Sequence, residues 1–318
     1  MIISIIIRAF NEEKSIGRLL FGISQQTLPN VEVVLVDSGS TDSTLAIASQ
    51  YSVKIAHIDP QEFTFGRSLN RGIAASSGEI IVITSAHCYP VYPDWLEQLI
   101  KPLQDENVAL SYGKQRGGET NHYSEHQFFR KYFPENSVLQ QAQPYSHNAN
   151  AAIRRALWEQ HPYNENLTGL EDLAWSSWAM ESGYTIAYMA EAEVIHQHDE
   201  TWGQVYKRYK REAIALKQIL PNSTFNFGDF LRSWVGKSVT DMNQARYERA
   251  FFKYALEILS FRLMQYWGTY RGYRFSGQVN AQLHRAFYYP PYILDQKAPT
   301  TRPVAPIEYQ SPHGRDEE

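Results

Sequence analysis

The segment Gly78-Glu79-Ile80-Ile81-Val82-Ile83-Thr84-Ser85-Ala86-His87 decides the fold of this 318-residue chain. Its centre is a short apolar, mostly β-branched run, with a Ser-Ser-Gly turn before it and Cys88-Tyr89-Pro90 after it. Such a run is typical of a strand that is buried on both faces, as in the middle of a parallel sheet. Ligands of these sheets bind beyond the carboxyl ends of the strands. We therefore expect the chemistry to lie near Ser85, Ala86 and His87.

Strands and helices alternate before this segment. Apolar residues at helical spacing separate three further predicted strands, at residues 2–7, 31–36 and 53–58. This alternation predicts an α/β fold with a mostly parallel, Rossmann-like sheet flanked by helices. Asn11 is predicted to cap the first helix and to place Glu12 in its first turn.

The second half of the chain does not show this regular alternation of strands and helices. Residues 113–147 are rich in Gly, His and aromatic residues, as expected of an insertion that shapes a pocket. Short strands are predicted at residues 148–153, 185–188 and 192–196, and the chain becomes helical from Trp202. The last segment, with four prolines and few apolar residues, is predicted to be disordered.

Composition excludes several classes of protein. A formal net charge of −4 gives no global basic field for nucleic acid. A single cysteine excludes a disulfide framework, and no apolar stretch of about 18 residues is present to span a membrane. The apolar N-terminus runs straight into Arg8 without a basic leader, so it is interpreted as a strand and not as a signal peptide. The expected location is cytoplasmic.

Four sequence landmarks occur in a fixed order. They are Arg8-Ala9-Phe10-Asn11-Glu12-Glu13 after the first strand, Asp37-Ser38-Gly39-Ser40-Thr41-Asp42 after the second, Gly66 through Asn70 to Gly78-Glu79, and Gly169-Leu170-Glu171-Asp172. In this order and spacing, the chain resembles family 2 glycosyltransferases of the GT-A fold, in the branch of rhamnosyltransferase-like enzymes. The resemblance covers about residues 1–215 as a nucleotide-sugar domain, followed by a helical extension over residues 216–294 and a disordered tail over residues 295–318.

The resemblance implies a donor site at the ends of the first strands. Asp37 would contact the nucleoside, because a carboxylate at a strand end accepts hydrogen bonds from base or ribose. Its alternative role is to cap a turn. Asp42 is expected to cap a helix. The remaining donor-binding candidates implied by the resemblance are Ala9, Phe10, Asn11, Glu12, Gly39, Arg67, Asn70, Arg71, Ser85, Ala86 and His87.

Asp172 matches the family's general base. An inverting transfer needs one carboxylate to take the proton of the acceptor hydroxyl. Glu171 is the alternative, because the sequence does not show which side chain faces the pocket, and both residues could instead only cap a helix. Acceptor or phosphate candidates are Asn148, Asn150, His196, His198, Arg208 and Arg211. The basic residues around Arg208 could also be a solvated helix face, or meet anionic lipid.

Two departures from the family pattern affect the mechanism. The usual Asp-x-Asp motif, which holds a divalent metal, is replaced by Ser85-Ala86-His87, without a carboxylate. Mg²⁺ and Mn²⁺ prefer oxygen ligands. We therefore assign no metal ligand and expect transfer without metal, although a His196–His198 metal pair is an alternative. Leu69 stands where relatives carry Arg, and Arg67 and Arg71 are expected to supply the positive charge.

The sequence thus predicts an inverting glycosyltransferase. Its expected partners are a nucleotide-sugar donor and a saccharide or lipid-linked acceptor of the cell surface, with peripheral contact to the inner face of the membrane and no nucleic acid. One alternative donor is a CMP-activated acidic sugar, whose monophosphate leaving group needs no chelating metal. Another alternative is a subunit that binds a nucleotide-sugar without turnover.

Overall fold

The computed structural model describes residues 2–60, 62–275 and 304–309. Within them, eight strands form one sheet. The strands are β1 (Ile3–Ala9), β2 (Val31–Asp37), β3 (Lys54–His57), β4 (Ile80–Ser85), β5 (Cys88–Pro90), β6 (Val108–Gly117), β7 (Asn150–Arg154) and β8 (Thr185–His196). Their order in the sheet is β3-β2-β1-β4-β7-β6-β8-β5.

Helices flank this sheet and follow it in the chain. They are α1 (Ile16–Ser24), α2 (Thr44–Ala48), α3 (Phe65–Ala74), α4 (Trp95–Ile100), α5 (Tyr123–Tyr132), α6 (Arg155–Gln160), α7 (Glu171–Glu181), α8 (Trp202–Ile219), α9 (Phe227–Tyr247) and α10 (Phe251–Tyr273). A 3-10 turn, Lys101–Gln104, follows α4. The predicted α/β class, with a sheet flanked by helices and a C-terminal helical extension, is confirmed. The sheet was predicted to be mostly parallel and is mixed, since β7 pairs antiparallel with β4 and β6, and β5 with β8.

The strand predicted from the opening segment lies at the centre of the sheet. Ile81, Val82 and Ile83 are fully buried. Val82 belongs to the apolar cluster on one face of the sheet, and Ile81 and Ile83 belong to the cluster on the other face. Burial on both faces explains why this strand is a continuous apolar run and does not alternate with polar residues.

Strand directions bring several chain segments to one edge of the sheet. β1 pairs in parallel with β2 and with β4, so these strands have their carboxyl ends at the same edge. β7 is antiparallel to β4, which brings its amino end, near Asn148, to that edge as well. β6 is antiparallel to β7 and parallel to β8, so His196 at the end of β8 arrives there too.

Two local predictions are wrong. Asn11 does not cap the first helix, because α1 begins at Ile16 after Ser15. Asn11 instead has a left-handed backbone (φ 55°), and its side chain accepts a hydrogen bond from the Thr41 N–H at 2.8 Å. The two short strands predicted at residues 185–188 and 192–196 form the single strand β8. The strand continues through the residues between them because its pairing with β6 shifts register there.

The last three helices pack together and reach back to the insertion. α8 and α9 both pack against α10. Buried Arg262 of α10 donates to Asp241 of α9 at 2.8 Å, and Ser124 of α5 donates to the same carboxylate at 2.6 Å. The helical extension is therefore fastened to α5. No helix among the described residues is long and apolar enough to cross a membrane.

The predicted boundary between the helical extension and the disordered tail, at residues 294 and 295, lies outside the described residues. Residues 276–303 and 310–318 are not described. The described segment 304–309 lies against β5. The Ile307 N–H donates to the Val91 carbonyl at 2.8 Å, and the Tyr309 ring packs edge-on against Phe21 and Tyr89. This part of the tail has a defined place in the fold.

Candidate active site

A cavity of about 470 Å³ opens where the carboxyl edge of the sheet meets the C-terminal helices. The sheet side contributes Arg8 after β1, Glu171 and Asp172 at the start of α7, and His196 and His198 at the end of β8. The opposite wall comes from α5, α8, α9 and α10. The C-terminal helices thus complete this cavity.

The two acidic residues at the start of α7 have different partners. Glu171 is buried and accepts from Arg8 Nη1 at 3.0 Å and from Asn148 Nδ2 at 3.3 Å. Asp172 accepts only backbone N–H groups, from Leu173 at 2.8 Å and from Asn148 at 3.2 Å, among its hydrogen bonds in the described residues. Leu170 holds this turn in a left-handed conformation, with φ of 58°. Such strain in a branched residue is found at functional sites.

The environment of Asp172 changes its acidity. Burial raises the pKa of Asp172 to about 7, and the negative charge of Glu171 adds to this effect. The N–H donors and Arg8 oppose the rise without cancelling it. A carboxylate with a pKa near neutral pH is suited to accept a proton. Of the two acidic residues, Asp172 therefore has the properties of a base, and Glu171 those of an anion paired with arginine.

Aromatic and cationic side chains form the rest of the cavity. Phe65 lies between two guanidinium groups, with Arg8 4.8 Å and Arg211 4.4 Å from its ring centre. Further aromatic residues in the wall are Phe128, Tyr132, Tyr145, Tyr209 and Tyr266. Apolar ring faces with polar edges suit a sugar. Two cations beside them suit a phosphate group.

Three histidines meet beside this cavity. The His87 ring stacks on His196 with centres 5.1 Å apart, and His198 lies 4.2 Å from His196. Burial lowers the pKa of His196 well below its ordinary value, and burial together with Arg208 lowers that of His198. The predicted contact of His196 and His198 with donor phosphate or sugar would therefore be made by imidazoles whose pKa values lie below the ordinary one.

The candidates expected to bind the donor lie outside the cavity walls, toward β1 and β2. Buried Asp37 accepts from the N–H groups of Gly39 and Ser40, both at 3.1 Å, and lies 3.5 Å from His57 Nδ1. Gly39 has φ of +92°, which favours glycine. Asp37 thus organises the turn, and its site at the carboxyl edge still permits nucleoside contact. Phe10 is largely exposed in the adjoining loop.

The motif from Gly66 to Asn70 fastens α3 to a neighbouring loop. A Cβ at Gly66 would lie 2.4 Å from the Asn164 carbonyl oxygen. Asn70 donates to the Tyr163 carbonyl at 2.9 Å and accepts from Trp158 Nε1 at 2.9 Å. The structure thus gives Asn70 a packing role, because its amide is engaged at both ends.

Four other predicted site residues do not line the cavity. Arg67 pairs with Glu165 at 2.8 Å, and Arg71 is exposed on α3, so neither lines the cavity. Fully buried Asn150 accepts from Trp95 Nε1 at 2.9 Å and donates to the Ala192 carbonyl at 2.8 Å. Both ends of its amide are thus engaged by the scaffold. Ala86 is fully buried.

Sequence reasoning missed Arg8, Glu125 and His147 as site residues. Glu125 on α5 accepts from His198 Nδ1 at 2.8 Å and from Arg208 Nη2 at 2.6 Å. Although its burial raises the pKa of Glu125, these partners hold it well below the ordinary value. His147 lines the cavity, and burial lowers its pKa to about 3. The sequence offered a signal only for Arg8, a charge directly after an apolar strand.

Two groups of side chains have the spacing of metal ligands among the described residues. One group is His87, His196 and His198, and the other is Glu125, His198 and Glu200. Ser85, Ala86 and His87 supply no carboxylate, the ligand type that Mn²⁺ and Mg²⁺ prefer. The first group offers nitrogen ligands instead, and a transition metal accepts these.

Comparisons with known proteins agree with this geometry. The family model described as glycosyl transferase family 2 matches residues 4–161. The O-antigen chain rhamnosyltransferase WbaN of Salmonella anatum is 30% identical over 196 residues, which are 58% of this chain and 62% of the relative. The O-antigen chain rhamnosyltransferase RfbN of Salmonella typhimurium is 27% identical, over 66% of this chain and 70% of the relative.

A solved structure has the same fold. The mannosyltransferase PcManGT from Pyrobaculum calidifontis, in complex with GDP-Man and Mn²⁺, aligns with a TM-score of 0.57 at 19% identity. The alignment covers 85% of this chain and 84% of that protein. At this identity the likeness concerns the fold alone. The coverage includes part of the C-terminal helices, which the family model does not reach.

Proposed function

This chain belongs to glycosyl transferase family 2, whose model matches residues 4–161, and on that premise we propose that it catalyses an inverting sugar transfer. The donor would be a nucleotide-sugar, and the acceptor a hydroxyl of a surface polysaccharide or glycolipid. The observation that carries the proposal is Asp172, a carboxylate with a pKa raised to about 7 in the wall of a cavity lined by aromatic residues.

Asp172 would act as the general base. It would take the proton of the acceptor hydroxyl while the hydroxyl oxygen forms a bond to the anomeric carbon. The bond from that carbon to the donor phosphate oxygen breaks at the same time, and its electron pair leaves with the nucleotide. Attack from the side opposite the leaving group inverts the anomeric centre.

Asn148 and Arg8 would position this base. The Asn148 backbone N–H holds Asp172, and its side chain donates to Glu171. Arg8 forms an ion pair with Glu171 and neutralises its charge. Asp172 is then the carboxylate that is left to accept a proton. We infer that Glu171 is a positioning residue, which keeps Asp172 basic through its negative charge.

The donor nucleoside would lie at the ends of β1 and β2, beside Asp37 and the Asn11 loop. Its diphosphate would then point toward His87 and the Arg8–Arg211 pair, where cations can stabilise the leaving group. The acceptor would enter from the side of α5, α9 and α10. A lipid-linked acceptor and contact with a membrane surface belong to the same proposal, and the exposed Lys207 of α8 is a basic residue that could meet anionic lipid.

A thermal-shift screen of nucleotides and nucleotide-sugars, with and without EDTA, tests the proposal. We expect one nucleoside diphosphate and its sugar conjugates to raise the melting temperature. Stabilisation by CMP and CMP-sugars alone would select the acidic-sugar donor. If no nucleotide stabilises the protein, the proposed donor site is wrong. If a nucleotide-sugar binds but is never hydrolysed, with or without acceptors, the chain is a binding subunit.

A further inference from the structure

We propose that His87, His196 and His198 together bind one divalent transition-metal ion through their Nε2 atoms. The proposal rests on the proposed function for one point only, that the donor diphosphate would complete the coordination. It replaces the expectation of transfer without metal, which followed from the missing carboxylates. The sequence could not show that one histidine after β4 meets two at the end of β8.

The three side chains converge from two strand ends. One ring nitrogen from each residue lies within 4.8 Å of the others. β5, which begins at Cys88 directly after His87, pairs with β8, and Cys88 is opposite His196 in the register. Two adjacent, hydrogen-bonded strands therefore hold the three imidazoles, and they form a rigid base for a site.

Each of the three imidazoles has its Nδ1 atom held by an oxygen acceptor. Glu12 accepts from His87 at 2.7 Å, Gln115 from His196 at 2.7 Å, and Glu125 from His198 at 2.8 Å. These acceptors place the proton on Nδ1, which leaves the lone pair of Nε2 for a ligand. Metal-binding histidines have this second hydrogen bond almost without exception.

The donor set indicates which metals fit. Three imidazoles are nitrogen ligands of intermediate softness and suit Zn²⁺, Co²⁺ or Ni²⁺ better than Mg²⁺. A site with three protein ligands also keeps one position open for a substrate. His87 lies on the side of the donor candidates, and His196 and His198 line the cavity. The open coordination position would therefore lie between the donor candidates and the cavity.

The neighbouring group of Glu125, His198 and Glu200 is a poorer metal site. Arg208 Nη2 already lies 2.6 Å from a carboxylate oxygen of Glu125 and 2.6 Å from one of Glu200. These two carboxylates neutralise the guanidinium and are not available to an ion. Glu125 serves the histidine site instead, because it orients His198 and offsets the charge of Arg208.

Metal binding can be measured without donor. We expect EDTA-treated protein to bind one Co²⁺ per chain, with visible d–d absorption typical of nitrogen ligands, and to bind Zn²⁺ in calorimetry. His87→Ala should remove both signals, and its fold should survive because His87 is partly exposed. Glu12→Gln should weaken the affinity by about 10–100-fold, as expected when the partner of a metal-binding histidine is changed.

His161→Gln is the matched control. His161 stacks on Trp178 with ring centres 4.4 Å apart and lies outside the cluster, so its replacement should leave metal affinity unchanged. The proposal is overturned if the protein binds neither metal, or if His87→Ala and Glu12→Gln bind with unchanged affinity. Either failure would leave the proposed function standing, because nucleotide stabilisation in EDTA tests the donor site separately.

Discussion

Asp172→Asn removes the proposed base but keeps the shape of the side chain and an oxygen that can accept the Leu173 N–H. General-base assistance contributes about 10²–10⁴-fold to a rate, so turnover should fall by that factor. Donor affinity should change little, because Asp172 lies in the cavity wall and not among the donor candidates.

The pH dependence follows from the raised pKa. The base must be deprotonated, so kcat/KM should rise with pH through the pKa of about 7 and then level off. At pH 6 only about one tenth of the Asp172 side chains would be ionised, and kcat/KM should be about one tenth of its plateau. A carboxyl of ordinary pKa would give the plateau rate at pH 6.

The same pKa predicts an effect on stability. The folded-state pKa lies above the ordinary value of 3.8, so ionisation favours the unfolded chain and the contribution of Asp172 to stability is lost as pH rises from about 4 to about 7. Asp172→Asn should therefore melt at a higher temperature than the wild type at pH 8. This gain should be much smaller at pH 4, where the folded side chain is protonated and the unfolded side chain is close to its own pKa of 3.8.

The assay is nucleotide release from the donor found in the thermal-shift screen, measured from pH 5 to 9, with melting curves at pH 4 and pH 8. Glu212→Gln is the control, since Glu212 is a second carboxyl of the same cavity whose pKa burial raises. Glu212→Gln should retain the acid limb of the rate profile, that is, the rise of kcat/KM with pH near pH 7. Near-native turnover of Asp172→Asn, or loss of the limb only in Glu212→Gln, would refute the assignment.

Three further predictions concern residues around this base. Glu171→Gln removes the charge that helps to raise the pKa of Asp172, so the acid limb of the rate profile should move to lower pH; an unmoved limb would show that the two carboxyls do not interact. Asp37→Ala should weaken nucleotide binding by about 1.5–3 kcal/mol in calorimetry, and unchanged affinity in a folded variant would remove Asp37 from the donor site. Gly66→Ala should destabilise the protein by about 1–3 kcal/mol in chemical denaturation, because the new Cβ would press on the Asn164 carbonyl. Gly203→Ala is the control and should be neutral or stabilising, because a Cβ there would have nothing within 4 Å. Equal effects of the two substitutions would contradict the packing role of Gly66.

The sequence predicted the sheet well because local pattern determined it. The run from Ile80 to Thr84 has no polar interruption, and only a strand covered on both faces tolerates this. The Asn11 cap failed for a related reason. A short polar residue before apolar helical spacing predicts a cap, but the Thr41 N–H, 30 residues away, competes for the same side chain.

The site was harder to predict because its partners are distant in sequence. Arg8 neutralises Glu171 across 163 residues, and this pairing distinguishes Glu171 from the proposed base Asp172. The resemblance implied donor contact for Asn70, but no local pattern shows that its amide is engaged by the Tyr163 carbonyl and by Trp158, about 90 residues away. No local pattern relates His87 to His196 and His198. The pairing of β5 with β8 brings them together.

The anomeric configuration of the first product shows whether Asp172 drives an inverting transfer. Slow hydrolysis of the donor by water needs no knowledge of the natural acceptor, and proton NMR distinguishes the released anomers before they interconvert. We expect the first sugar detected to have the configuration opposite to that of the donor, at a rate that Asp172→Asn lowers by about 10²-fold or more. Initial release with retained configuration would contradict it.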